Sequence, residues 1–387
     1  MLKALKVRLY PTKKQKEVIA SQIGATRYIY NRALALKIFA YKKFGKNIGK
    51  FDLIKHTTKL KKREKTAWLK EIDSQALQQS ISNMDRAYKS FFKSGFGFPK
   101  FKSKHSSKQS YQYPQRVKLN EKQSKIYLPK VGWVKIRGFR EEFANCKIKT
   151  VTISLEAYQY HSSILLDDGI ETIKPSHNGK AIGLDIGVKL IVADSNGKRV
   201  KALNLEKELK KLRLRAKQLS NKKKNSNNRI KVKQKLAKIN LKIANQRKDF
   251  LHKLSTQYSE NQTIVIEDLK IKNMSKSAKG TVETPAKNVA QKRGLNRAIT
   301  QQSWGLFFEM LEYKTARRGG KLIKVEPKYT SQTCSSCGYI DKKNRVNQSK
   351  FVCIACGYCE NADINASKNI LARGIHGNNA FHQTKIA

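Results

Sequence analysis

The sequence predicts an α/β chain. A mixed sheet with flanking helices is interrupted near its end by a zinc ribbon and preceded by a small β-domain that carries a helical insertion. Three observations predict this. Short alternating strands open the chain and return between residues 109 and 175. From residue 181, strands alternate with long helical patterns. Two Cys-x-x-Cys-Gly knuckles, Cys334/Cys337 and Cys353/Cys356, stand fifteen residues apart, the pattern of a structural zinc site.

In the order of the chain, Met1 to Pro11 alternates apolar and basic residues and reads as a strand. Thr12 with Gln15 forms a capping box, opening a helix with Val18, Ile19, Ile23, Ile29 and Leu34 on one stripe. Ser74 is the expected cap of another helix, in which Leu77, Ile81, Met84, Tyr88 and Phe91 recur. Lys125–Pro129, Gly132–Arg137 and Ile148–Ser154 read as strands of a small sheet or barrel, which the first strand could rejoin. Ala181–Gly187, Leu190–Gly197 and Arg199–Leu203 read as an antiparallel meander. A helical hairpin over 204–258 follows, then a buried strand, Thr263–Asp268. Residues 269–295, poor in apolar side chains, read as a loop or mobile lid. A helix over Ser303–Arg318, a strand over Leu322–Glu326, the ribbon and a helix from about 363 complete a ribonuclease H-like order of elements.

Charge narrows the function. Lys and Arg total 82 against 28 Asp and Glu, a formal net charge of +54 over 387 residues. Such self-repulsion calls for a polyanion, and nucleic acid fits better than a ribosomal or membrane-surface role. No stretch reaches the roughly 18 to 20 apolar residues of a membrane span. The start lacks the apolar core of a signal peptide. Four of the six cysteines lie in two knuckles, which indicates a reducing compartment and metal rather than disulfides. The expected location is cytoplasmic, with the nucleoid.

Three acids stand where chemistry needs them. Asp185 lies inside an apolar strand, Glu267 ends one, and Asp363 falls in the first turn of the last helix. A carboxylate in a buried strand is costly unless paired or bound to metal. Converging, the three would repel one another until divalent cations relieved them. Two Mg²⁺ about 3.5–4 Å apart would suit phosphodiester hydrolysis. The bland reading pairs Asp185 with a lysine and leaves Asp363 as a helix cap. Asp268 and Glu326 read as a salt-bridge partner and a strand-end acid. For zinc, Gly338 and Gly357 follow Cys337 and Cys356, whereas no glycine follows Cys359. The ligands are therefore Cys334, Cys337, Cys353 and Cys356, one structural Zn²⁺, with Cys359 a free thiol and Cys146 an apolar filler.

Tyr10-Pro-Thr, Gly24-Ala-Thr-Arg27-Tyr-Ile-Tyr-Asn31, Gly97-Phe-Pro-Lys-Phe101-Lys, Gly183-Leu-Asp-Ile-Gly187, Ile266-Glu-Asp-Leu269, Thr330-Ser-Gln-Thr-Cys-Ser-Ser-Cys-Gly338 and Ala362-Asp-Ile-Asn-Ala366 stand in one order along nearly the whole chain. In this the chain resembles the TnpB/OrfB proteins of bacterial insertion sequences, relatives of type V CRISPR effectors. The resemblance implies a RuvC-like nuclease core over 181–328, closed by a helix over 361–374. It implies a zinc ribbon insertion over 329–360 and a wedge β-domain over 1–15 and 94–180. A helical recognition module over 16–93 and a polar tail over 375–387 complete the division. Asp185, Glu267 and Asp363 take the family's catalytic, Mg²⁺-holding positions. The resemblance also implies a guide RNA from the transposon end and a double-stranded DNA target beside a short motif. Candidate nucleic-acid contacts are Arg27, Asn31, Gln78, Gln79, Lys100, Lys102 and Tyr111. Tyr111 and Tyr113 could equally close the β-core. An RNA-guided repressor without cleavage, and a guide-independent transposase or nuclease, stay open.

Overall fold

The computed structural model describes residues 2–120, 122–139, 143, 146–170, 175–280, 283 and 287–377. Contacts divide the chain into two units, Met1–Glu171 with Lys223–Lys238, and Thr172–Lys222 with Ile239–Ala387.

In the first unit, β1 (Leu2–Tyr10) does rejoin the later strands. It pairs antiparallel with β5 (Gly132–Arg137) and β7 (Gln159–Asp167) at the middle of a seven-stranded sheet. β6 (Lys147–Glu156) and β2 (Lys108–Tyr113) extend one side; β4 (Lys125–Leu128) and β3 (Lys118–Asn120) extend the other. The order is β2-β6-β7-β1-β5-β4-β3. Among the described residues β2 and β3 are edges that do not pair with each other, so the expected barrel closure is not seen. Two-residue alternation in β1 buries Leu5, Val7 and Leu9 while Lys6 and Arg8 face away.

Between β1 and β2 run three α-helices, α1 (Lys13–Phe44), α2 (Lys50–Lys62) and α3 (Ser74–Ser94), with a short 3-10 helix over Glu64–Lys70 between the last two. Thr12 and Gln15 form the capping box of α1. For α3 the cap is Asp73 rather than Ser74. Its carboxylate accepts from Ala76 N at 3.0 Å and pairs with Arg116 at 2.9 Å. Asp and Ser cap about equally well, so it is the extended backbone of Asp73 (φ −60°, ψ 122°) that makes it the cap. Ala25, Ile29, Ala33 and Leu34 of α1 pack on Leu77, Ile81 and Met84 of α3.

The second unit holds a five-stranded sheet, β10-β9-β8-β11-β12. β8 (Ala181–Asp185), β9 (Leu190–Asp194) and β10 (Arg199–Lys201) form the expected antiparallel meander. β11 (Thr263–Glu267) and β12 (Lys321–Val325) add on parallel to β8. Between β10 and β11 lie α4 (Glu206–Ser220) and α5 (Asn227–Tyr258). Two helices, α6 (Ile271–Met274) and α7 (Val289–Gln302), occupy the stretch expected as a loop or lid. Only Ile299 of α7 is buried. Polar bonds hold the segment instead, Lys292 to Met274 O at 2.7 Å and Asn296 to Ser275 O at 3.1 Å. So narrow an apolar face leaves no periodic signal. Residues 281, 282 and 284–286 of that expected lid lie outside the described residues, as does the tail from 378.

α8 (Trp304–Arg317) and α5 bury Phe307, Leu311, Leu251 and Tyr258 with Leu184, Val192, Ile264 and Ile266 of the sheet. Strand alternation sends Gly183, Asp185, Val265 and Glu267 to the opposite face. That face receives α9 (Ala362–His376), whose Ile370 packs on Val265 and Val325. Between β12 and α9, β13 (Lys350–Val352) and β14 (Cys359–Asn361) form a hairpin. Among the described residues no helix is long and apolar enough to cross a membrane.

Candidate active site and zinc cluster

Close backbone approach brings α9 onto the acids. A Cβ on Gly183 would collide with Ser367 O and lie 2.8 Å from Leu371 Cβ, so only glycine lets the helix sit this near β8. Gly374 makes a similarly tight approach to Val265. The β8–β11 register pairs Ile266 with Leu184. One step on, Glu267 stands level with Asp185 at the carboxyl ends of the strands. Asn361 caps α9, accepting from Asp363 N at 3.1 Å and Ile364 N at 3.3 Å. Asp363 is thereby placed in the first turn, where the helix dipole favours an anion.

The three carboxylates line one cleft of about 620 Å³, together with Arg199, Arg345 and Thr330. Burial, then the charges of Glu267 and Asp363, push Asp185 up to about 7, against a weaker opposing pull from Arg345. Burial also raises Glu267, countered by a hydrogen bond donated from Thr330 Oγ1 at 2.6 Å. Burial raises Asp363, countered by Arg345 and then Arg199. Arg345 Nη2 lies 3.5 Å from Asp363 Oδ1. The lysine partner of the bland reading is not what faces Asp185; two other acids do. Asp268 instead pairs with Lys270, and Glu326 is exposed.

Among the described residues, the four thiols are the one group of three or more metal-ligand side chains whose ligand atoms all lie within 4.8 Å of one another. The carboxylates are coupled but more widely spread. That spread suits ions shared between acids rather than one closed shell, and hard carboxylate oxygens suit Mg²⁺. The donor set therefore fits the implied cation.

Cys334, Cys337, Cys353 and Cys356 form the thiol cluster, with Sγ separations of 3.8 Å for Cys334–Cys356 and 3.6 Å for Cys337–Cys353. The two knuckles are built alike. Gly338 N donates to Cys334 O and Gly357 N to Cys353 O, both at 2.9 Å, and both glycines have positive φ (76° and 73°). Cys359 is exposed on β14, outside the cluster, and Cys146 packs half-buried against the β-core. Four thiolates would leave a four-coordinate ion no open position, and four cysteines are the donor set of a structural zinc.

The candidate nucleic-acid residues are in the first unit and have varied surroundings. Arg27 donates to Gln109 Oε1 at 3.2 Å, and Arg27 and Lys102 line a basic cleft of about 610 Å³ with His105 and Lys108. Both polar atoms of the Asn31 side chain bond the backbone of Lys102, at 2.8 and 3.0 Å. The Lys102 ammonium lies 4.1 Å over the Tyr30 ring, where desolvation lowers its pKa. Gln79 bonds Asn83 and Gln112, both at 3.2 Å, while Gln78 and Lys100 are exposed. Tyr111 is the correction. It is 4% exposed, its hydroxyl meeting that of Tyr113 at 3.2 Å, so its ring belongs to the β-core and presents no face to a base.

Sequence reasoning missed Thr330, Arg199, Arg345, Asn365, Asn369 and Arg373. Thr330 and Asn365 stand inside motifs that carried the resemblance; the arginines were hidden among 82 basic residues.

Three family models match the chain. One described as a probable transposase covers residues 163–278, one described as a Cas12f1-like TNB domain covers 304–370, and one described as a helix-turn-helix domain covers 1–46. In this chain the described part of 1–46 is β1 and the single helix α1. The protein named "Putative RNA-guided DNA endonuclease InsQ" of Escherichia coli K12 is 42% identical over 96% of this chain and 92% of its own length. A "Putative RNA-guided DNA endonuclease" of Streptomyces pristinaespiralis is 32% identical over 96% and 89%. A Cas12f1 chain solved in an sgRNA–target DNA complex matches with a TM-score of 0.53 at 15% identity, covering 96% of this chain and 98% of that one. This last likeness speaks to fold alone.

Proposed function

The chain belongs to the OrfB/TnpB family of insertion-sequence-encoded RNA-guided DNA endonucleases, and we propose that it cuts DNA at Asp185, Glu267 and Asp363. The observation that carries this reading is the convergence of the three acids in one cleft, with Asp185 held near 7 by burial and by the other two. Carboxylates so placed repel one another, and a divalent cation relieves that repulsion. Asp185, Glu267 and Asp363 would hold two Mg²⁺, which when bound would supply an activated water and a clamp on the leaving oxygen. Thr330 orients Glu267, and the cap of α9 fixes Asp363. Arg345 and Arg199 bring positive charge to the cleft where a phosphate would lie.

Zinc at the four cysteines orders the ribbon without taking part in cleavage. In this reading residues 1–15 and 94–180 serve as a wedge β-domain and 16–93 as a recognition module. The net charge of +54 holds a guide RNA and the heteroduplex through phosphates. The guide would come from the transposon end. Base pairing reads the target, while the protein reads a short flanking motif. Arg27, Lys102, Gln78 and Lys100 are the candidate contacts with side-chain groups facing solvent or a basic cleft. The protein would work in the cytoplasm, with the nucleoid.

The test is the purified protein with its co-purifying RNA, sequenced to define the target. Wild type cuts that target in Mg²⁺, Asp185→Ala binds it without cutting, and RNase abolishes both. Cleavage by Asp185→Ala would overturn the assignment of the site. Binding to the same target after RNase would favour a guide-independent enzyme, and an inert wild type that still binds would favour a repressor.

A further inference from the structure

We propose that Thr330 is a positioning residue for Glu267, and that Asn365 and Asn369 hold it there from the helix that carries Asp363. The inference rests on the carboxylate reading above and deepens it. The chain leaves β12 at Val325 and reaches the first zinc ligand at Cys334 through a segment with no strand or helix. Such a segment has backbone carbonyls that need donors. Three side chains of α9, spaced four residues apart, supply them. Arg373 donates to Glu326 O at 3.0 Å and Lys328 O at 2.6 Å. Asn369 donates to Thr330 O at 2.9 Å and Thr333 O at 2.7 Å. Asn365 donates to Thr333 O at 2.8 Å and accepts from Ser335 N at 2.9 Å. Positions i, i+4 and i+8 share one helix face, so a single face reads out the whole segment. Asn365 and Asn369 are fully buried.

The segment is held in a conformation it would not choose. Tyr329 has φ 63°, in the left-handed region, although the residue is 46% exposed and gains little from burial. Such backbone persists where surrounding bonds over-determine it, a pattern that clusters at functional sites. The residue it delivers is Thr330, 3% exposed, whose hydroxyl reaches Glu267 Oε1 at 2.6 Å, the shorter of its two contacts, with Pro327 O of the loop itself at 3.0 Å. A loop needed only to connect β12 with the ribbon has no use for that last bond. Its effect is to fix the plane of the Glu267 carboxylate. One helix thus sets two of the three acids, Asp363 directly and Glu267 through Asn369 and Thr330. Its Asn365 also grips the start of the first knuckle.

The experiment uses the full chain, with co-purifying RNA for cleavage and binding. Thr330→Val keeps the shape and removes the hydroxyl; Thr330→Ser restores it. Expected for Thr330→Val are unchanged target affinity and zinc content, single-turnover cleavage slowed at least about tenfold, and a several-fold higher Mg²⁺ concentration at half-maximal rate. A readout apart from activity is the rise in unfolding temperature that Mg²⁺ produces, which shrinks in Thr330→Val and returns in Thr330→Ser. Asn369→Ala slows cleavage, raises the Mg²⁺ requirement and shrinks the Mg²⁺-induced rise in the same way, and the double variant goes no further than the worse single one, because both act along one chain of contacts. Equal losses in Thr330→Val and Thr330→Ser would reduce Thr330 to packing and overturn the proposal. So would wild-type Mg²⁺ behaviour in Thr330→Val, or additive losses in the double variant. Cleavage by Asp185→Ala would instead remove the carboxylate reading itself, whatever Thr330 does.

Discussion

Replacing Asp185 with Asn in the protein without Mg²⁺ measures what burial and then the two neighbouring acids cost the ionised carboxylate. Burial and the two neighbouring acids lift Asp185 from 3.8 to about 7, a rise of about three pH units. At 1.36 kcal/mol per unit, keeping it ionised costs roughly 4 kcal/mol. The folded state therefore binds more protons than the unfolded state between these limits. Stability contributed by the protonated group is complete below about pH 4 and is lost as pH rises towards 7. Glu267 and Asp363 are also raised and add in the same direction. Asn carries no charge, so Asp185→Asn is the more stable protein at pH 8, by up to roughly 4 kcal/mol. For a unit of this size that is about 8–16 °C in unfolding temperature. The assay is thermal unfolding from pH 5 to 8, zinc retained and no chelator present, with and without Mg²⁺. The gap between the two proteins is smallest at pH 5, where it is already open, and widens towards pH 8. Mg²⁺ narrows the gap by binding folded wild type. Parallel curves across this range, or a gap that Mg²⁺ leaves untouched, would refute the reasoning.

Zinc analysis separates the two knuckles from their neighbour: Cys353→Ser falls well below one zinc per chain, while Cys359→Ser stays at one. Gly183→Ala forces α9 off β8 and costs about 2–3 kcal/mol or more, because the colliding atom is the Ser367 carbonyl rather than a flexible side chain; calorimetry checks it, and an unchanged unfolding temperature contradicts the close packing. Tyr111→Phe costs about 1 kcal/mol of stability through the lost Tyr113 bond and leaves nucleic-acid affinity unchanged, as gel-shift titration will show. Lys100→Ala weakens binding and flattens its salt dependence, since each neutralised phosphate adds about one to the slope.

Much of the second unit was legible because its elements carry local signals. The run Thr263–Glu267 is apolar until its last residue, the meander ends in Asn196-Gly197, and α8 starts on a dense aromatic stripe. Strand pairing had no such signal. That β11 lies beside β8 is a relation across about eighty residues, and it alone makes Glu267 level with Asp185. Polar anchoring was equally silent, as α7 shows. Tyr111 misled because an aromatic among lysines looks the same in sequence whether its ring faces solvent or the core. Asp73 and Ser74 were both competent caps, and chain geometry chose between them.

The candidate site divides along the same line. The acids betrayed themselves by being charged where neighbours are apolar. The groups that hold them did not, because asparagine and threonine are unremarkable on a helix or in a loop. Yet Asp363 depends on Asn361, and Glu267 on Thr330. The ribbon lies between these two dependencies, starting where Thr330 ends and finishing at the cap of α9. Soft thiolates and hard carboxylates select different ions, so in the proposed reading a zinc at the thiols and a divalent cation in the cleft would not exchange. On that reading the ribbon would stay ordered by one cation while the cleft gained and lost the other. A scaffold metal-stable on one side and metal-labile on the other would let the acids be pre-placed at a cost in stability, the cost that Asp185→Asn is designed to measure.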